Sequence, residues 1–148
     1  QAKEFLGLDL LLMIPDRIAP HKEIPSGSPT PQQRLELAEA ALRDIPNARA
    51  VACTDLLADF AREQGACALV KGARTGSDFD WEIQLAQINR DLCPELDTVI
   101  LPARPEHLHI SSTMVREMIR YQRKLGNYLP AAAVAVLREI RGEGNGNG

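Results

Sequence analysis

Apolar residues recur along the chain in two alternating modes, short continuous runs and stripes spaced three and four apart, and the alternation predicts strands separated by helices. Leu8 to Ile14 is an unbroken apolar run ended by Pro15, the pattern of a strand buried on both faces of a parallel sheet. Pro15, Pro20, Pro25 and Pro29 with Gly27 then predict a long loop at that strand's carboxyl end. Thr30-Pro31-Gln32-Gln33 carries a capping hydroxyl, a proline for the first helical position and a glutamine three residues past the cap, so a helix starts there with Leu35, Leu37, Ala38, Ala41 and Leu42 as its apolar stripe. Ala48 to Cys53 predicts a second strand. Thr54 is expected to cap a helix whose apolar face is Leu56, Leu57, Phe60 and Ala61 and which closes at Gly65. Ala66 to Lys71 predicts the next strand. Ser77, with Asp80 three residues on, is expected to start a long helix through Arg90 that turns Phe79, Ile83, Leu85, Ala86 and Ile88 or Leu92 inward. Asp97 to Leu101 is a further strand, Pro102 to His109 a loop, and a helix opens at the serines that follow. Pro130 opens a last, alanine-rich helix to about Arg141. Strands alternating with helices give the α/β class, an open parallel sheet with right-handed crossovers and helices on both faces.

The length of 148 residues and the 45% hydrophobic content suit one globular domain, expected over 1–141, with the glycine-rich stretch 142–148 as a flexible tail. A net charge of -3 makes no electrostatic case for nucleic acid or an anionic membrane, so any cationic function has to be local. Cys53, Cys67 and Cys93 are odd in number, sit in or beside apolar runs and lack metal-ligand spacing. They fit reduced, structural thiols in a cytoplasmic protein. No apolar run approaches a membrane span and no secretory leader opens the residues given.

Two segments carry candidate chemistry. Ile110-Ser111-Ser112-Thr113-Met114-Val115-Arg116 places three hydroxyl residues at the head of an amphipathic stretch, where unpaired N–H groups and the helix dipole favour an anion and Arg116 adds a fixed charge. An ordinary helix cap accounts for the same serines. Leu69-Val70-Lys71-Gly72-Ala73-Arg74 is an apolar run ending in a glycine between two cations; in an open α/β sheet ligands bind beyond the carboxyl ends of strands, so both charges would stand at that rim. Phosphate handling is the chemistry the two segments share. His107 and His109 alternate along a loop with no third ligand nearby, and adenine contact or packing is the expectation for them; no protein-held metal is expected.

Taken together these segments resemble the adenylyltransferases of the nucleotidylyltransferase superfamily, most closely the phosphopantetheine adenylyltransferases. The resemblance runs over about residues 54 to 130. It is carried by Thr54-Asp55-Leu56-Leu57-Ala58-Asp59-Phe60-Ala61-Arg62, by Lys71-Gly72-Ala73-Arg74, and by Ser77-Asp78-Phe79-Asp80-Trp81-Glu82 with Gln84, Leu85, Ala86, Gln87, Asn89 and Arg90. It implies a Rossmann-like sheet and transfer of AMP from ATP to the phosphate of 4'-phosphopantetheine, giving dephospho-coenzyme A and pyrophosphate, with magnesium arriving on the ATP and with homo-oligomeric assembly in which Trp81 or Tyr121 faces a neighbour.

By position, the resemblance implies that Gly72, Ala73, Arg74, Glu82 and the run His107, Leu108, His109, Ile110, Ser111, Ser112 and Thr113 contact ATP, with Arg74 on its phosphates. It implies that Leu57 and Lys71 line the phosphopantetheine side, and that Lys22 grips the attacking phosphate. Arg74 and Lys22 are thus the expected catalytic cations, and Arg74 and the Ser111 helix start are expected to meet one triphosphate. The chain departs from the family pattern at Lys71, where arginine is usual, at Ala73, where leucine is, and at Trp81, where tyrosine is. The superfamily's Thr- or His-x-Gly-His motif, whose histidine steadies the ATP phosphates, is absent from the 148 residues, and a segment ahead of Gln1, which reads like the middle of a helix, is expected to carry it. Two alternatives stay open. Ile14-Pro15-Asp16-Arg17 with Pro20-His21-Lys22 resembles nicotinate mononucleotide adenylyltransferase, and a non-catalytic nucleotide-binding module would keep the same helix start.

Overall fold

The strands pair by sequence neighbourhood: each parallel ladder joins two strands separated by one helix. The structure, a computed structural model, describes residues 9–15 and 28–142. The expectations for Gln1 to Leu6, for Leu8, for most of the proline-rich loop with His21 and Lys22, and for residues 143–148 fall outside the described residues. Those described form two compact units, one comprising the chain up to Thr54 together with Ile110 onward, the other Asp55–His109.

In the first unit β1 (Leu10–Pro15) and β2 (Ala48–Cys53) run parallel, with Leu10 opposite Ala48 and Pro15 opposite Cys53. A parallel pair needs a crossover, and α1 (Pro31–Leu42) supplies it. Its start is the expected capping box: Thr30 Oγ1 accepts from Gln33 N at 3.2 Å while Gln33 Oε1 accepts from Thr30 N at 2.8 Å. Arg34 on its first turn donates to the Pro15 carbonyl at 2.8 Å and so ties the helix to the end of β1. The remaining helices are α4 (Ser112–Arg120) and α5 (Ala131–Ile140), the latter opened by Pro130 as expected. Ile119, Leu125 and Leu137 form the buried centre, with Leu37, Val115, Met118, Leu129 and Val134 packed on it.

In the second unit β3 (Ala68–Ala73) pairs in parallel with β4 (Asp97–Pro102), Ala68 opposite Asp97 and Ala73 opposite Pro102. The crossover is α3 (Gly76–Leu92), and α2 (Leu57–Glu63) packs beside it, the Arg62 guanidinium donating to the Leu92 carbonyl. Phe60, Leu69 and Leu96 are buried. Parallel strands with helical crossovers are the expected α/β class; among the described residues they hydrogen-bond as two separate two-stranded ladders.

Several local expectations are corrected. The α2 helix starts at Leu57 with no side-chain cap, three residues beyond Thr54. Strand β3 lies two residues further on than the apolar run implied, so Gly72 and Ala73 belong to the ladder and Arg74 directly follows it. The α3 helix is capped by Thr75 in place of Ser77, because Thr75 and Asp78 stand at the spacing that lets Thr75 Oγ1 accept from Asp78 N, at 3.2 Å. Of its predicted inward residues, Leu85 and Ala86 are half-buried, but the larger ones at its ends and middle are not. Phe79, Ile83 and Ile88 are 45%, 48% and 53% exposed, Leu92 is exposed too, and the buried residue of this helix is Asn89. The physical reason is size: a helix of 17 residues is about 25 Å long, and a ladder of two six-residue strands, about 20 Å by 5 Å between axes, offers one narrow face to cover it. No described helix is long and apolar enough to cross a membrane.

Candidate active site

The chain leaves β3 at Arg74, and the loop after β4 leaves from the same end. Ala103 N donates to the Ala73 carbonyl at 2.8 Å, extending the ladder one step past the strands before the chain turns into the short 3-10 turn Pro105–His107. The carboxyl rim of this ladder therefore carries Lys71, Gly72, Ala73 and Arg74 on one strand and the start of the 103–109 loop on its neighbour. His107, Leu108 and His109 are exposed in that loop.

Both cations of Lys-Gly-x-Arg are held by carboxylates of the helix that follows. Lys71 Nζ stands 3.2 Å from Glu82 Oε2, with side chains 28% and 17% exposed. That oxygen is buried and faces the ammonium as an ion pair without an aligned hydrogen bond to it. Arg74 is held differently: its backbone N–H and its Nε–H both donate to Asp78 Oδ2, each at 3.2 Å. Asp78 is in turn fixed by donating its own backbone N–H to Thr75 Oγ1, which lies 3.0 Å from Ser77 Oγ. The Arg74 backbone N–H above all, then the guanidinium and Thr75, hold the Asp78 carboxyl below the ordinary carboxylate range against the opposing effect of desolvation. A Cβ at Gly72 would meet nothing within 4 Å. Among the described residues that space is open, so no packing demand from them explains a glycine there. Leu57 lies half-buried at the first turn of α2.

In the first unit Ser111 is the N-cap of α4, its Oγ accepting from Met114 N at 3.1 Å. Ser112 Oγ accepts from Arg116 Nη2 at 3.2 Å, so the cation on these turns is folded back onto the helix start. Thr113 is exposed, and Ile110 and Ser111 are half-buried. The N–H groups of Ser112 and Thr113 belong to the first turn, where an α-helix has no internal acceptor to offer. The capping role and the anion-suited arrangement thus coexist in the same residues.

Of the residues picked out by the sequence, the structure joins Lys71 to Glu82, sets Gly72, Ala73 and Arg74 in line along one rim, and builds Ser111 and Ser112 into a capped helix start. Lys22 lies outside the described residues. Asp78 was missed as the partner of Arg74, and Thr75 as the cap that holds Asp78. Asp78 reads in sequence as one of three dipole-complementing acids with Asp80 and Glu82, and the signal that singles it out is the Thr-x-x-Asp spacing beginning at Thr75. Among the described residues no group of three His, Cys, Asp or Glu side chains is placed to hold a metal ion.

The cytidylyltransferase-like family model matches residues 1–118. The phosphopantetheine adenylyltransferase of Chloroflexus aurantiacus is 44% identical over 107 residues, 72% of this chain and 66% of that protein. Those of Xylella fastidiosa and Actinobacillus pleuropneumoniae are 43% and 42% identical over 108 residues, in each case 73% of this chain and respectively 67% and 68% of the relative. The chain spans about two thirds of the length of the curated relatives it matches. A family match across most of the chain, with a parallel α/β ladder and a cationic rim at its carboxyl end, leads to one conclusion: the chain belongs to the cytidylyltransferase-like family, among relatives of the phosphopantetheine adenylyltransferases.

Proposed function

We propose that the protein transfers AMP from ATP to the phosphate of 4'-phosphopantetheine, a nucleotidyltransferase reaction of coenzyme A biosynthesis that yields dephospho-coenzyme A and pyrophosphate. The observation that carries this reading is the identity of 42–44% to several proteins named for that activity. An oxygen of the acceptor phosphate attacks the α-phosphorus of ATP, the bond to the β-phosphate bridging oxygen breaks, and pyrophosphate leaves with that electron pair. Two anions must approach and charge builds on the transferring group, so the protein's task is positioning and neutralisation.

Arg74, at the strand end and held by Asp78, is suited to that charge. The open space above Gly72 supports close approach of a ligand to the strand. Glu82, paired to Lys71, spans the residues assigned to ATP and those assigned to phosphopantetheine with Leu57. His107, Leu108 and His109 would meet the nucleotide, as would the start of α4 at Ile110, Ser111, Ser112 and Thr113. Lys22 would hold the attacking phosphate. Magnesium enters as part of the substrate, MgATP, whose charge it reduces; the described rim offers cations and hydroxyls, a donor set for phosphate oxygens. Cytoplasmic residence and homo-oligomeric assembly belong to the same reading; the exposure of Trp81, 55%, and of Tyr121 supports a subunit contact.

The test is an assay of the full-length protein with MgATP and each of two acceptors. Turnover with 4'-phosphopantetheine, releasing pyrophosphate and dephospho-coenzyme A, is the expected result. Faster turnover with nicotinate mononucleotide would move the protein to the other acceptor, and nucleotide binding without turnover on either would make it a binding module.

A further inference from the structure

We infer that Glu82 is a positioning residue for the acceptor and acts through Lys71, holding the ammonium in place to receive the acceptor's phosphate. This rests on the proposed function and deepens it, because the resemblance gives Glu82 to ATP and Lys71 to the acceptor, whereas the structure pairs the two. Lys71 stands on β3 and Glu82 on the second turn of α3, with Nζ and Oε2 3.2 Å apart. Glu82 is the partner of Lys71 among the described residues. An ammonium carries three N–H donors and no acceptor, so one carboxylate oxygen leaves it donors for a second anion. With 28% of the Lys71 side chain exposed, that anion can arrive from solvent.

The pair is a poor device for stability. Glu82 Oε2 is buried, yet among the described residues no aligned hydrogen bond reaches it, and a sheltered ion pair offsets the cost of its desolvation only where such bonds are in place. Placement is what the contact does supply. Lysine has a flexible four-carbon stem and no rigid planar fork to fix its donors, so a hold on the ammonium before the ligand arrives removes an ordering cost that binding would otherwise bear. A cation that grips the phosphate from its arrival onward contributes to the bound state and the transition state alike, and such a contribution is read in KM.

The experiment is a double-mutant cycle in the full-length protein, with Glu82→Gln and Lys71→Met singly and together, measuring kcat, KM for 4'-phosphopantetheine and KM for MgATP. Glu82→Gln is expected to raise KM for the acceptor about fivefold, the size of one side chain's ordering cost, with KM for MgATP within about twofold. In the Lys71→Met background it should raise the acceptor's KM no further, because the group it holds is gone. A rise in KM for MgATP with the acceptor's KM unchanged gives Glu82 to the nucleotide alone and overturns the inference. A rise in the acceptor's KM of equal size with and without Lys71 overturns it too, and the adenylyl-transfer reading survives both results. Absence of turnover in the unaltered protein overturns both. Glu82→Asp, which keeps the charge but withdraws the carboxylate by one methylene, and Lys71→Gln are run through the same cycle, with the same expectations, in case either first choice does not fold.

Discussion

Asp78 draws three N–H groups into one turn, donating its own to Thr75 and accepting two from Arg74, and its acidity follows from that. The folded-state carboxyl titrates lower than it does unfolded, so the stability it contributes is present in full above the ordinary carboxylate range and is lost as the pH falls through the lowered value. Asp78→Asn should therefore melt below the unaltered protein at about pH 7, and the gap should close on acidification from about pH 4 downward. Thermal melts of both proteins across that range check this; a gap that widens with acid contradicts it. At this scale the sequence showed which residues carry charge at the rim but not how they pair. Lys71 and Arg74 read as open cations, whereas the structure sets a carboxylate from α3 against each, Glu82 eleven residues away and Asp78 four. The second pairing is local enough to be found from the Thr75 cap; the first depends on how the helix lies along the strand, which no spacing rule encodes.

The elements whose boundaries rest on local chemistry agree with the pattern of the chain. Thr30 and Gln33 close their capping box, β2 occupies the apolar run from Ala48 to Cys53, and Gly65, at φ +66, ends the α2 segment in the left-handed region that suits glycine. Where neighbours decide, agreement fails. The α2 helix begins at Leu57 without a side-chain cap, so Thr54 was a misleading marker, and α3 leaves Phe79, Ile83, Ile88 and Leu92 exposed although helical periodicity assigned them to a core, with Leu85 and Ala86 half-buried. Periodicity shows that a face is apolar; what covers it is a property of the assembled structure. The head of α4 separates its two serines in a way that mutation can read. Ser111 Oγ binds the Met114 N–H, and Ser111→Ala should destabilise the protein by about 1 kcal/mol, the usual worth of a cap. Ser112 Oγ only receives the exposed Arg116 guanidinium, and Ser112→Ala should cost less than about 0.5 kcal/mol. Denaturant unfolding of both variants settles the order, and equal losses would remove the distinction between cap and neighbour.

At the scale of the molecule, the class was legible because parallel strands demand helical crossovers, and the alternation of runs and stripes left few other ways to connect them. Relationship was legible for a different reason: each motif between Thr54 and Arg90 is ordinary by itself, and their order along the chain is what identifies the family. In the proposed reading, chemistry concentrates at the carboxyl end of the β3–β4 ladder, where a cation could face a phosphate without taking part in a core. That separation of function from stability is the central claim, and Arg74→Ala tests it most directly when kcat for adenylyl transfer and Tm are measured on the same preparation. Loss of a preorganised donor at the transferring phosphate predicts a fall in kcat of about a hundredfold or more, with Tm little lowered, since the side chain is 39% exposed at the strand's end. A variant that keeps its turnover, or that loses activity only in step with its melting temperature, would contradict the account.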